Sequence, residues 1–462
     1  MGIYGAINAA VSGLTAQARA LENISGNVAN SQTVGYKRLD TTFSDLVSGG
    51  GATQAAQVSG TTIATSRATN SVTGDITSSQ VDTYLAINGE GYFVVSKASD
   101  FVDGNTTFDD ATFFTRGGDF EVNKEGYFVN SGGYFLKGYP LDPLTYNPVG
   151  DAPAVIQIDD APLGASATAG VNYQANLPRI PATASYDGTE ASALLTAPAL
   201  GTAPDIAGTD LTTFINTSIS GGSVTVYNAN GSAVPLDIRY AKTDNTTDTW
   251  NMYISSGGSG GVDYYEVGEI DFAADGATIT SLTATTGALN AGPPTVTANT
   301  TTGFTLSGID VGGVTASDVT IDFGGTLTQY ANADGVLTSL SISQDGYPAG
   351  ELTNIAVDKS GRVIASYSNN QTRARYEIPL ATFQADQSLR RVDGAAFAAT
   401  SDSGDPVYGG GGAVISNAVE LSNADIADEF AKLIVTQQAY SANSKIVTSA
   451  DEMLDQALNM VR

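Results

Sequence analysis

The stretch Asp425-Ile426-Ala427-Asp428-Glu429-Phe430-Ala431-Lys432-Leu433-Ile434-Val435-Thr436-Gln437-Gln438-Ala439-Tyr440 decides the fold. In it an apolar residue recurs every seven places, and the recurrence runs on to the carboxyl end. Ile426, Leu433, Tyr440, Val447, Leu454 and Val461 are successive positions of one seam. The other half of the repeat is only partly apolar: Phe430 and Leu458 keep it, whereas Gln437, Ser444 and Asp451 do not. A seven-residue period holds one stripe of an α-helix toward one partner, so the spacing predicts a helix from Asp425 to Val461 with a single buried seam. Ser422 or Asn423 is the expected N-cap, with Asp425 and Asp428 in the first turn, where the helix dipole favours acid. Lys432 falls off the seam and is expected to be solvated.

The amino end repeats the pattern. Ile7, Leu14, Leu21 and Val28 are seven apart, Val11 and Ala18 fill alternate positions, and Arg19 and Glu22 fall off the stripe. One such stripe is ordinarily an amphipathic helix lying on its own domain. Two matched stripes at opposite ends of a β-rich chain predict that the ends pair as a terminal coiled coil. Proline agrees, since all 15 lie between Pro140 and Pro406 and leave both ends free to form long helices.

Between the ends the signals are those of strands. After Val28 the chain turns polar, and Gly and Ser cluster from Ser48 to Gly60. Leu85-Ala86-Ile87, Tyr92-Phe93-Val94-Val95, Phe113-Phe114-Thr115-Arg116 and Tyr127-Phe128-Val129-Asn130 read as strands, with Asn123-Lys124-Glu125-Gly126 as a hairpin turn. A second block runs from Leu337 to Tyr367. The stretch between the blocks is rich in Ala, Thr, Gly and Ser, with a hairpin expected around Asn230-Gly231 and a surface loop over Thr280 to Thr302. The expected fold class is therefore multidomain and mainly β, with α-helical termini. The expected plan is a terminal pair (1–30 with 424–462), a non-helical connection (31–82), an inner β-domain (83–141 with 345–423) and an outer inserted part (142–344).

Composition narrows the function. With 462 residues and 42% hydrophobic content, the chain can bury several cores. Its 20 basic and 48 acidic residues give a net charge of −28, which repels nucleic-acid phosphates and anionic membranes. No apolar run is long enough to cross a bilayer. The first charged side chain is Arg19, so the amino end lacks the positive region of a cleaved signal peptide. With neither Cys nor His, the chain can form no disulfide, no Cys/His zinc site and no Ser-His-Asp triad.

Candidate chemistry is thin. Gly257-Gly258-Ser259-Gly260-Gly261 matches G-x-S-x-G, but no histidine exists to activate Ser259, and a flexible loop is the better reading. Asp109-Asp110 and Asp159-Asp160 lack the spacing of a calcium loop and read as solvated turns. No catalytic residue, cofactor or metal is expected.

The ends also carry a resemblance. Ala10-Val11-Ser12-Gly13-Leu14, Leu21-Glu22-Asn23-Ile24-Ser25-Gly26-Asn27-Val28-Ala29-Asn30 and Thr33-Val34-Gly35-Tyr36-Lys37 closely resemble the opening of the bacterial flagellar rod and hook family. Leu421 to Ala427, Gln437 to Lys445 and Ala450 to Leu454 look like that family's carboxyl signature, with Gln437-Gln438 where many relatives carry Gln-Arg. Asn88 to Val95 and Phe114 to Phe120 resemble its β-core. The long insertion, together with Asp345 to Gly350, Tyr367 to Thr372 and Leu380 to Phe383, is most similar to the hook branch.

The resemblance implies a non-enzymatic subunit that polymerises with itself into a curved, flexible tube joining rod to filament and transmitting torque. It implies further partners: rod and hook–filament junction proteins, a hook cap and the flagellar type III export apparatus. It also implies an extracellular place in the flagellum, reached without a cleaved signal peptide. The seam would be the assembly surface, and Asn27, Asn30, Thr33, Gly35, Tyr36 and Lys37 the family motif. A distal rod or junction protein, a surface-layer or adhesin-type β-protein and a secreted hydrolase are the alternatives. The first is disfavoured by the insertion, the second by the matched terminal stripes, the third by the absent histidine.

Overall fold

The computed structural model describes residues 3–48, 58–102, 105–195, 205–208, 210–257, 262–285, 295–299, 301–311 and 314–460. Val461, Ser259 and the middle of the 280–302 stretch lie outside the described residues, as does the Leu458 side chain. The chain divides into two compact units. One holds Met1–Asp160, Leu352–Ser366 and Gln371–Arg462; the other holds Ala161–Glu351 and Tyr367–Asn370.

The first unit carries the terminal helices, α1 (Ile3–Ala29) and, at the far end, a 35-residue helix, Ile426–Met460. Its cap is Asp425, not Ser422 or Asn423: the Asp425 carboxylate accepts from the backbone N–H of Ala427 at 2.7 Å. Asn423 is occupied elsewhere, its Oδ1 accepting from the Arg38 N–H at 2.7 Å. After α1 the connection is itself β-structured. β1 (Leu39–Ser48) and β2 (Val58–Ala68) pair antiparallel, Leu39 facing Ala68, and α1 lies against both. Then follow β3 (Ile76–Ser78), β4 (Leu85–Asn88), β5 (Tyr92–Val102), β6 (Asn105–Thr115), β7 (Glu121–Val122), β8 (Phe128–Val129) and β9 (Tyr134–Pro140). A thirteen-stranded sheet runs Leu352–Val357, Arg362–Tyr367, Thr372–Glu377, β9, β5, β6, Ala396–Ala398, Arg390–Val392 along its main path. Chain from both sides of the insertion thus shares one sheet. Its core is aromatic and aliphatic, with Phe93 edge-on to Phe120 and Leu85, Val95, Leu136 and Val363 fully buried.

Among its described residues the second unit has two six-stranded sheets, a two-stranded pair (Asp310–Val311 with Val314–Thr315) and one short α-helix, α2 (Leu211–Thr217); the long carboxyl helix is hence α3. Strand Ala233–Asp244 alternates exposed and buried residues along its first half, as a strand with one wet face should. It pairs with Ile219–Tyr227 across the Asn230-Gly231 turn, where Gly231 takes a φ of 79°. Trp250, Tyr240, Phe304, Phe323 and Tyr173 from both sheets fill one core, and the Tyr173 hydroxyl donates to the Gly221 carbonyl at 2.7 Å.

Three carboxyls of this unit, Asp205, Glu266 and Glu269, are pushed up by burial. Asp205 is raised to about 6, opposed only by the Glu266 N–H it accepts at 3.2 Å. Glu266 is also raised by burial. Between about pH 4 and 6 the folded Asp205 holds a proton that the unfolded chain has released, so its stabilising contribution is complete below pH 4 and lost as pH rises through 6. Asp205→Asn should therefore flatten the decline in this unit's stability between pH 4 and 7. We expect a change on the order of 1 kcal/mol, because solvent screens a half-exposed carboxyl. Denaturant midpoints of both chains across that range measure it; parallel pH profiles would contradict it.

Candidate assembly interface

α1 and α3 pack along their length, which the matched stripes predicted. The contact is built of small residues. Ala10, Ala16, Ala20 and Ala450 are buried, and a Cβ added to Gly13 would stand 2.8 Å from Asn443 Nδ2. Small side chains let two helix backbones approach, and a larger residue at Gly13 would have to displace the Asn443 side chain.

The sequence stripes enter this contact only in part. Ile7, Leu14, Leu21 and Val28 on α1, and Leu433, Val447 and Leu454 on α3, are half-buried. Val11 and Ala18, expected at alternate positions, are exposed. On α3 the alternate positions fall one residue earlier than expected: Glu429, Thr436 and Ala450 are buried and Asn443 half-buried, whereas Phe430, Gln437, Ser444 and Asp451 are exposed. One residue turns a helix by about 100°, enough to move a side chain off a seam. Ile426 and Tyr440 are 40% and 41% exposed, Phe430 51%. Beside them Ile434, Val435, Ile446 and Met453, which the heptad reading left out, are also exposed. The helix pair therefore presents apolar surface that nothing among the described residues covers.

What fixes the pair is a set of buried polar groups in the last turn of α1 and just beyond it. Asn27 uses its full hydrogen-bonding capacity. Its amide donates to the Leu39 carbonyl at 2.9 Å and to Glu429 at 3.0 Å. Its oxygen accepts from the Leu39 N–H at 2.9 Å and from the Tyr36 hydroxyl at 3.3 Å. One side chain thus ties α1 to β1, to the following loop and to α3. Asn30 closes the helix end, donating to the Gly26 carbonyl at 2.9 Å and accepting from Thr33 at 3.2 Å. Gly35 has a φ of 67°, and a Cβ there would lie 2.3 Å from the Gly117 nitrogen, so no other residue fits.

Lys37 completes the motif. It is fully buried and pairs with Glu420, also fully buried, while donating to the Val72 carbonyl at 2.7 Å. Arg116 binds the other Glu420 oxygen at 3.0 Å, and the Gly74 N–H donates to the first at 2.9 Å. Burial pushes the Lys37 ammonium below its usual range, with Glu420 opposing that and Arg116 adding to it. Lys432 is exposed, as expected, but it is also paired: it bonds Glu429 at 2.7 Å and reaches Asp40 at 3.5 Å.

The motif residues Asn27, Asn30, Thr33, Gly35, Tyr36 and Lys37 thus form one junction. Its partners Glu420 and Glu429 carried no signal in the sequence reading. The nearest available hint was the polar and small line Glu429, Thr436, Asn443, Ala450, itself seven-spaced. Among the described residues no cluster of acidic side chains is arranged to hold a metal. Because Glu420 neutralises two cations away from water, Glu420→Gln should destabilise the first unit by about 3–5 kcal/mol. Thermal or denaturant unfolding followed in that unit measures this; a loss under 1 kcal/mol would contradict the junction's role.

Four family descriptions match the chain in order. They are Flagella basal body rod protein over residues 7–37, Flagellar hook protein FlgE/F/G D1 domain over 86–172, Flagellar basal body protein FlaE D2 domain over 202–347, and Flagellar basal body rod FlgEFG protein C-terminal over 415–460. Flagellar hook protein FlgE of Brucella suis is 30% identical over the whole of both chains, and that of Rhizobium meliloti likewise. The Salmonella typhimurium protein of the same name is 28% identical over 98% of each. Among solved structures, Helicobacter pylori flagellar hook protein FlgE2 aligns over 73% of this chain and 98% of its own at 15% identity and a TM-score of 0.47, a likeness too loose to argue from. With full-length relatives at that identity and the amino-terminal motif folded into one buried junction with the carboxyl end, the chain belongs to the flagellar hook protein FlgE family.

Proposed function

We infer that the chain is a structural subunit of the bacterial flagellar hook, polymerising with itself into a flexible tube that joins rod to filament and carries torque. The observation that supports this reading is the uncovered apolar face of the helix pair. Ile426, Phe430, Ile434, Val435 and Tyr440 stand exposed on a helix anchored at its base by buried hydrogen bonds. A soluble acidic chain gains nothing by exposing such a face unless another copy covers it.

The stripe residues then divide into two roles. Ile7, Leu14, Leu21, Val28, Leu433, Val447 and Leu454 hold α1 to α3 within a copy, and Val11, Ile426, Phe430 and Tyr440 meet the next copy. Leu458 and Val461 extend the same seam in sequence. The paired ends (1–30 with 424–462) form the inner tube, residues 31–82 connect, and 83–141 with 345–423 and 142–344 form the outer layers. The rod and junction proteins, the cap and the type III export apparatus are the other partners of this reading. Export proceeds without a cleaved signal peptide, and the role is mechanical rather than catalytic.

Phe430→Asp and Ile434→Asp touch the open face and spare the packing of α1 on α3. Each should leave circular dichroism unchanged and raise the critical concentration for polymerisation at least tenfold, since each removes a buried apolar contact between copies and strands a charge there. Lys445→Glu, an exposed position, should shift it only a few-fold. Sedimentation of polymer across a concentration series reads the effect. Normal assembly of both Asp variants would overturn this reading.

A further inference from the structure

A cleft of about 660 Å³ opens between α1, the β1–β2 pair and α3. Its floor is apolar, with Ala20, Ile24, Leu39 and Phe43. Its rim is basic: Arg38, Arg67 and Lys432 line it, against Asp40 and the buried Glu429. In a chain carrying 20 basic and 48 acidic residues, this is a local reversal of sign. Arg67 is exposed with no ion-pair partner among the described residues, whereas Arg38 Nε stands 3.5 Å from the Asp40 carboxylate. Phe43, in the floor, is 45% exposed.

The same unit carries a projection of the complementary kind. β5 pairs with β9 only from Val95 to Lys97, and beyond that it pairs only with β6, Ala98 opposite Phe108 and Phe101 opposite Thr106. The hairpin therefore outruns its sheet. Its root is held by Phe108, edge-on to Tyr127 and Phe135. Toward its end Phe101 is 62% exposed, and the sequence there reads Ser99-Asp100-Phe101-Val102-Asp103. This exposed aromatic has no ring-stacking partner among the described residues.

We propose that the β5–β6 hairpin of one copy docks in the cleft of a second copy, Phe101 on the floor beside Phe43 and Asp100 against Arg67. This rests on the polymerising reading above and names a contact within it. The contact carries charge complementarity as well as apolar fit. A net charge of −28 per copy disfavours unspecific contact between copies, so a basic-rimmed cleft favours the acidic hairpin. Neighbouring copies would thereby be linked through their hairpins in addition to their helices.

The test is charge reversal and its rescue in the full-length chain. Arg67→Glu and Asp100→Lys should each raise the critical concentration about fivefold, with folding intact by circular dichroism. The double variant should return to within about twofold of the natural chain. Because the chain has no cysteine, a Thr42→Cys, Phe101→Cys chain should also give covalent multimers when its polymer is oxidised, and neither single variant should. If the natural chain polymerises but neither reversal matters, or the double variant is not rescued, the docking is overturned and the polymer reading stands. An effect of Arg67→Glu without one of Asp100→Lys would put another segment in the cleft and overturn it equally. A natural chain that forms no polymer would overturn both.

Discussion

The carboxylate of Glu420 sits out of water between Lys37 and Arg116, and the placement of both chain ends follows from it. A buried ion triad is costly to form and costlier to break, so it persists only where each charge has its partner and each remaining lone pair its donor. Here the Gly74 N–H supplies that extra donor. The strand that holds Glu420 ends a few residues before α3 begins, and Lys37 follows closely on α1. Closing the triad therefore brings the exit of one helix beside the entry of the other. Asn27, bonded to Glu429, then sets their spacing.

Once the exits are fixed, the helix contact follows from side-chain size. Alanines and Gly13 let α1 and α3 approach, and the larger stripe residues close only the flanks. A helix pair joined through its small residues leaves its large apolar ones facing outward. That is a poor arrangement for an isolated protein and a suitable one for a subunit, because the stripe then has one edge for the pair and the other open to a neighbour.

The sequence made the helices legible because periodicity is a local property that long, proline-free segments keep intact. The strands Leu85–Asn88 and Tyr92–Val102 and the Asn230-Gly231 hairpin were likewise visible as β-branched and aromatic runs bounded by turn residues. The β1–β2 pair was not, since 31–82 read as a non-helical connection with Gly and Ser clustered from Ser48 to Gly60; α1 lies on the pair, as in the bond from Asn23 to Thr41 at 2.8 Å. The Asn27, Lys37 and Arg116 partners lie 402, 383 and 304 residues away, beyond any local pattern. The position of the seam's alternate half failed for a physical reason: the reading weighed apolarity, whereas close packing selected Glu429, Thr436, Asn443 and Ala450 for size and hydrogen bonding.

The central claim is that a rigidly anchored helix pair keeps an apolar face open until another copy covers it. Amide hydrogen exchange, compared between the unassembled chain and its polymer, tests this most directly. The account predicts strong slowing along α3 from Ile426 to about Leu454 on assembly, with the segment from Asn27 to Lys37 already protected in the unassembled chain. Slow exchange along α3 before assembly with no further change, or rapid exchange at Asn27 to Lys37 in the unassembled chain, would contradict it.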